Sequence, residues 1–254
     1  MSTRTVGGAP VSLRGKVVLI TGAGSGLGEA TAHAFAQEGW AVACLDLDAD
    51  AAERVSLALR SSGTECIPLP CDVSDARAVA ENVEMIVQHY GRLDVVVNNA
   101  GIDYTLPIEE MTIEQWDRVI AVNLRGPFLV AKAALPVMKR QGGGHIVNIA
   151  STAATRAWAN ASAYHASKWG LLGFSRSLSI EGRPCNVRVT TIIPGGMRTR
   201  FFDRFLDQGI PLPDEQNLQD PADVARVILF AVTLPAGSVV QEVIVTPLGE
   251  PSWP

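Results

Sequence analysis

A chain of 254 residues that is 47% hydrophobic can bury one large core. Its formal net charge of −5 and pI near 5.4 argue against nucleic acid as the main partner, because phosphate binding needs a basic face. No apolar run approaches the ~20 residues that cross a bilayer, so no membrane association is expected, and the location expected is cytoplasmic.

Residues 1–12 read as a loose leader without the apolar segment of a signal peptide, ahead of one domain over 13–254. The first element is VVLIT, a β-branched run that leads into TGAGSGLG and then an amphipathic pattern: strand, glycine turn, helix. Gly22, Gly26 and Gly28 depart from the general G-x-G-x-x-G spacing, with Gly24 as an extra glycine. Such a turn uses conformations that a Cβ hinders. The helix starting near Gly26 aims its first N–H groups at an anion such as pyrophosphate. AVACLD is the second strand, and it ends on Asp46. A carboxylate there can accept hydrogen bonds from ribose hydroxyls and repel a 2′-phosphate.

CIPLPCDV and DVVVNN follow as third and fourth strands. Thr112 and Gln115 form a capping box that opens a long helical pattern reaching Arg140. Asn123 lies inside that pattern, where asparagine is a poor choice unless its amide has a partner. Pro136 is expected to end or kink the helix. HIVNIAS is the fifth strand, with Ser151 at the end where open α/β sheets bind ligands. In AYHASKWGLLGF, Tyr164 and Lys168 stand at i and i+4, on one helix face, while His165 points away from it. A free phenol titrates near ~10. A cation about 4 Å away contributes on the order of 4 kcal/mol at an effective dielectric of ~20, the size of effect needed to make a tyrosine useful at neutral pH.

VRVTTII is the sixth strand and EVIVT the seventh. Between them, residues 195–219 break the alternation with Pro211, Pro213 and apolar Phe201, Phe202, Phe205 and Leu206. A connection that long after a strand end predicts a substrate lid. Arg198, Arg200 and Arg204 in it offer an alternative, a grip on an anion, tempered by Asp203 and Asp207. Asp220 and Pro221 then give an N-cap and a first-turn proline. The strand–helix alternation predicts an α/β fold, a doubly wound parallel sheet with helices on both faces. The four cysteines, Cys44, Cys66, Cys71 and Cys185, show no C-x-x-C spacing and read as reduced core thiols.

Taken together, TGAGSGLG, NNAG, Asn123, Ser151, Tyr164, Lys168 and PGGMRT resemble the short-chain dehydrogenase/reductase family from about Lys16 to about Val245. The resemblance implies a Rossmann-type sheet of seven strands in the order 3-2-1-4-5-6-7. It implies Tyr164 as general acid/base, Lys168 as the residue that tunes it and holds the nicotinamide ribose, and Ser151 as the residue that polarises the substrate oxygen. Asn123 would anchor a water in a proton path. Gly22, Ser25, Gly26, Leu27, Gly28, Asp46, Asp72, Val73, Asn98, Ala100, Gly101, Tyr164, Lys168, Ile193, Pro194, Gly195 and Thr199 would surround the dinucleotide, and no metal is required. Members using the phosphorylated cofactor carry a cation where this chain has Ser25 and Leu47, so NAD is expected.

Position alone makes Asp103, Tyr104, Ala153, Trp158, Met197 and Phe202 candidates for the substrate pocket. The expected activity is interconversion of a secondary alcohol, at least partly apolar, and a ketone. The alternatives are reduction of a β-ketoacyl thioester and, from another class, a non-catalytic NAD sensor. A homo-oligomer is expected, tetramer over dimer, through the helices spanning 112–140 and 161–182. The family's C-terminal G-Q-x-x-x-x-D-G-G segment is replaced here by SVVQEVIVTPLGEPSWP.

Overall fold

Seven runs of β-branched and small apolar residues form one parallel sheet in a computed structural model that describes residues 15–207 and 209–250. The expected leader lies outside the described residues, as do the side chains of Arg204 and Asp207. The strands are β1 (Val17–Thr21), β2 (Ala41–Asp46), β3 (Cys66–Pro70), β4 (Val95–Asn98), β5 (Gly144–Ile149), β6 (Val187–Pro194) and β7 (Glu242–Val245). Their order is β3-β2-β1-β4-β5-β6-β7, as expected. Residues 71–73, expected as strand, leave the sheet and turn into the binding cleft.

Alternate residues of each strand feed two cores. Val17 and Leu19 face one, Val18 and Ile20 the other, and all four are buried. The principal helices are α1 (Gly26–Gln37), α2 (Ala49–Ser61), α3 (Ala76–Tyr90), α4 (Ile113–Ile120), α5 (Gly126–Arg140), α6 (Ser162–Gly182), α7 (Asp203–Asp207) and α8 (Pro221–Thr233). Val83, Ile86, Val130 and Leu178 bring α3, α5 and α6 onto the first face, while Leu27, Phe35, Val55 and Ile228 bring α1, α2 and α8 onto the second. Phe35 is fully buried with its ring edge-on to Trp40, centroids 5.0 Å apart. Truncating a core aromatic of this kind to alanine removes about 3–5 kcal/mol.

Two expectations about the long helix need correction. Pro136 does not end it: α5 runs on to Arg140, because a proline one turn from the C-terminus removes a single ladder bond while Ala134 and Met138 stay buried on either side. The helical stretch Ile113–Arg140 is also, by length and composition, long and apolar enough to cross a membrane, but half of its apolar window is buried inside the molecule. It is a core helix covering the sheet. A π-helical turn at Ala121–Arg125 interrupts it, with Asn123 at the centre.

Candidate active site

A cleft of about 970 Å³ runs along the C-terminal ends of the strands. One end is walled by Gly22, Gly26, Asp46 and Asp72, the other by Ser151, Trp158, Tyr164 and Phe202. A continuous groove of this size suits a dinucleotide with a substrate beyond it.

The glycine turn is shaped by backbone contacts. Gly28 lies inside α1, where an added Cβ would fall 1.9 Å from the Gly22 carbonyl oxygen. Gly28, expected beside the dinucleotide, does not line the cleft; it lets the helix approach the turn. The Asp46 carboxylate accepts from Gly24 N at 2.8 Å through one oxygen and from Asp48 N at 3.0 Å through the other, so it is fixed beside the turn and lines the cleft. Thr21 Oγ1 accepts from Asn99 N and Ala100 N, each at 3.0 Å, joining the ends of β1 and β4.

The two asparagines of NNAG divide the work. Asn99 lines the cleft and donates to Thr21 O at 2.9 Å and Gly22 O at 3.1 Å. Asn98, expected at the cofactor, points into the core, where Nδ2 donates to Asn148 Oδ1 at 2.8 Å. Strand alternation puts consecutive residues on opposite faces, and Asn98 is the inward one. Asn148 in turn donates to Ser175 Oγ at 2.8 Å, and the Ser175 hydroxyl donates to Leu171 O at 2.7 Å. A buried polar chain therefore ties β4 and β5 to α6, the helix that carries Tyr164 and Lys168.

At the other end Tyr164, Lys168 and Ser151 face one space. Lys168 is buried, its Nζ 5.5 Å from the Tyr164 ring centroid and donating to Ile149 O at 2.9 Å. Burial lowers the Lys168 pKa to about 8 by penalising its charged form. Ser151 Oγ accepts from Ala153 N at 3.2 Å, which leaves its proton to donate into the cleft. Asn123 does not line the cleft. Its Oδ1 accepts from Ile102 N at 2.8 Å, and its Nδ2 donates to Ile102 O at 2.8 Å and Ser167 Oγ at 3.1 Å. These are the amide partners its mid-helix position called for. A Cβ placed on Gly101 would lie 3.5 Å from Asn123 Oδ1 and 3.6 Å from Lys168 Nζ, so the three meet at one point.

Ser25, Gly26, Leu27, Val73, Ala100, Gly101, Pro194, Gly195 and Thr199 line the cleft, whereas Ile193 is buried against Ala150 and Leu172. Of the substrate-end candidates, Asp103, Trp158, Met197 and Phe202 line it; Ala153 packs beneath Tyr164, and Tyr104 is not part of the lining. The segment after β6 is pinned at its base by a bridge between Met197 and Gln219. Phe201 reaches the Tyr164 ring at 5.6 Å between centroids and continues to Phe202 and Phe205. Leu206, expected among them, is exposed.

Three ion pairs at the cleft or beside it went unseen in the sequence. Arg118 pairs with Asp72 at 2.8 Å. Burial pushes the Asp72 carboxyl upward, but the hydrogen bonds from Ser74 and Arg118 outweigh it and the net shift is downward. Arg54 comes from α2 to donate to Gly24 O at 2.6 Å, so a cation does approach the glycine turn, although Glu29 holds it in a bidentate pair. Arg156 pairs with Glu250, from the chain after β7. Residues so far apart in sequence give no local signal of pairing.

A doubly wound sheet with a glycine turn at its first crossover and a Tyr–Lys pair on the cleft wall defines a dinucleotide-dependent oxidoreductase scaffold. The chain belongs to the short chain dehydrogenase family, whose model matches residues 16–208. It is 42% identical over 195 residues to D-threitol dehydrogenase of Mycolicibacterium smegmatis, covering 77% of this chain and 75% of that protein. It is 36% identical over 239 residues to a 3-oxoacyl-(acyl-carrier-protein) reductase of Thermotoga maritima, covering 91% and 96%. Among solved structures, a metagenomic short-chain oxidoreductase in complex with NADP superposes with a TM-score of 0.81 at 33% identity, covering 93% of this chain and 98% of that one.

Proposed function

We propose that the protein is an NAD-dependent oxidoreductase that interconverts a secondary alcohol and a ketone. The observation that carries this reading is the convergence of Tyr164, Lys168 and Ser151 on one cleft whose far end is walled by Asp46. A nicotinamide bound there supplies or accepts the hydride, and the chain handles the proton. Tyr164 passes the proton to or from the substrate oxygen. Ser151 donates a hydrogen bond to the same oxygen and sets its angle. Lys168, steered by the Ile149 carbonyl, holds its charge beside the phenol, and Asn123 supports the path by which a proton reaches solvent.

The choice of NAD rests on charge. Asp46 and Asp48 both line the adenosine end, and the nearby Arg54 is engaged by Glu29, so a 2′-phosphate would meet net negative charge. The relative named as a 3-oxoacyl reductase supports the second reading, reduction of a β-ketoacyl thioester. Incubating the purified protein with NAD or NADP and a panel of secondary alcohols, and following reduced nicotinamide by absorbance, tests both. Oxidation of reduced NADP by a β-ketoacyl thioester, with no alcohol oxidised by NAD or NADP, would replace the first reading with the second.

The same reading includes one domain over 13–254, a lid at about 195–219, a cytoplasmic location and a homo-oligomer, tetramer over dimer. Exposed Ile113, Trp116, Phe128, Trp169 and Ile180 on α4, α5 and α6 support the last. A 27.0 kDa particle by light scattering at micromolar concentration would exclude an oligomer.

A further inference from the structure

Trp158 lines the substrate end of the cleft, yet it is 46% exposed, so burial alone does not hold it there. Its setting is made by the backbone around it. Trp158 N donates to His165 Nε2 at 3.1 Å, and two residues on, Asn160 O accepts from Leu106 N at 2.9 Å. Asn160 presents that carbonyl from a left-handed φ of 62°, which asparagine tolerates better than most residues. The Trp158 ring also packs edge-on to the imidazole, with centroids 4.4 Å apart. The other imidazole nitrogen, Nδ1, lies 2.9 Å from Ala153 O, in the short turn Thr152–Ala154. Ala153 N in turn donates to Ser151 Oγ. His165 thus stands outside the cleft lining, one residue past Tyr164, and is bonded to both ends of the segment that carries the wall. Its partners fix its tautomer. A carbonyl oxygen can only accept and a backbone N–H can only donate, so Nδ1 carries the proton and Nε2 is bare.

We propose that His165 is a positioning residue: in its Nδ1–H tautomer it ties the turn after Ser151 to α6 and sets Trp158 as a wall against the substrate. This rests on the alcohol–ketone reading above. Because α6 also carries Tyr164 and Lys168, the imidazole links the helix that delivers the proton to the segment that shapes the pocket. Loss of the Nε2 contact releases Trp158 without touching Tyr164, Lys168 or the end walled by Asp46. The effect therefore falls on the KM for the alcohol and not on the binding of NAD. Asparagine and glutamine separate the two contacts. An asparagine amide lies where Nδ1 does and can donate to Ala153 O, but it falls short of Trp158. A glutamine amide reaches the Nε2 position, where its oxygen can accept from Trp158 N.

The test begins with proton–nitrogen NMR of the imidazole rings, in which His165 should carry its proton on Nδ1. His165→Asn should then raise KM for the secondary alcohol turned over best by about three- to tenfold, the weight of one hydrogen bond, with KM for NAD unchanged. His165→Gln should stay near the wild-type KM. In a Trp158→Ala background, His165→Asn should add less than about twofold, because the residue acts through a ring already removed; a merely structural role would give the same loss in both backgrounds. Amide exchange at Trp158 should be faster in His165→Asn than in the wild type, a readout that needs no turnover. A proton on Nε2, unchanged exchange, equal losses in the two backgrounds, or a His165→Gln enzyme as impaired as His165→Asn would each overturn the proposal. A wild type that oxidises no alcohol sinks the underlying reading, while the tautomer and the exchange at Trp158 still decide this one.

Discussion

At the end walled by Asp46 the cleft is bounded mainly by backbone and by side chains bonded to backbone: Gly22 against Gly28 behind it, Asp46 against Gly24 and Asp48, Ser74 against Asp72. At its substrate end the wall is side chains brought from far apart, with Arg156 on Glu250 and Tyr164 beside Phe201. The first end is fixed by where the chain can fit, and few residues satisfy it. The second is fixed by which side chains meet, and many sets could do so. One scaffold can therefore keep its cofactor geometry while its substrate changes.

The comparison breaks first at Tyr164. Tyr164→Phe keeps the ring and its contact with Phe201 but removes the proton, so turnover should fall by about 10²–10⁴-fold while NAD binding, followed by fluorescence titration, persists. Lys168→Met should lose both. A Tyr164→Phe enzyme near wild-type rate would leave the substrate end without its chemistry.

His145 supplies a reference belonging to neither end. The Thr190 hydroxyl donates to Val240 O at 2.6 Å, so at the 2.7 Å contact with His145 it must accept from Nε2–H. That leaves Nδ1 as a buried nitrogen without a partner among the described residues. Burial lowers the His145 pKa to about 3, with the charge of Arg188 adding to it. The folded pKa lies below the ordinary value near ~6.5, so the stabilisation is complete above that value and is lost as pH falls toward 3. At about 1.4 kcal/mol per pH unit, this one group should remove about 3 kcal/mol between pH 7 and 4. Urea unfolding of His145→Gln should show a pH dependence smaller by that amount; an identical dependence would refute the assignment.

Gly28→Ala sharpens the backbone side. A Cβ 1.9 Å from a carbonyl oxygen cannot be relieved by a side-chain rotation, and about 3 kcal/mol or more should be lost. Gly173→Ala in α6 meets nothing within 4 Å and should gain up to about 1 kcal/mol through helix propensity. Thermal melts of the pair decide it; equal shifts would mean that the turn tolerates what its geometry forbids.

A smaller effect than those of Tyr164→Phe and Gly28→Ala is expected at Asp46. Asp46→Ser with Leu47→Arg removes a repulsion and adds a phosphate partner. A charge-assisted hydrogen bond of about 1.5–3 kcal/mol corresponds to a shift toward NADP of roughly ten- to a hundredfold. Wild-type protein using both cofactors equally would show that Asp46 does not discriminate.

What the sequence conveyed follows the same division. The strand–helix alternation, the glycine turn and the Tyr164–Lys168 face were legible because alternation, turn chemistry and i,i+4 spacing are local, whereas the strand order came only with the family resemblance. Which asparagine of NNAG turns inward was not, since that depends on the register of Asn98 against Asn148 in the neighbouring strand. The π-helical turn at Asn123 is likewise set by contacts with Ile102 and Ser167, well outside its own helix. Arg54 reaches the glycine turn, and Glu250 reaches Arg156, from segments with no turn, cap or periodicity pointing there.

The buried chain from Asn98 through Asn148 to Ser175 works as an index mark for α6. Rotating that helix by one residue would bring Phe174 or Arg176 to a position where Asn148 requires a hydroxyl, and would swing Tyr164 away from Ser151. The angular setting of the active site is thus recorded in amides beneath its floor, out of reach of any substrate. Anyone reshaping this enzyme by altering only the residues that line the cleft would leave that setting intact, and a library that spared Asn98, Asn148 and Ser175 would keep its catalytic geometry while its specificity drifted.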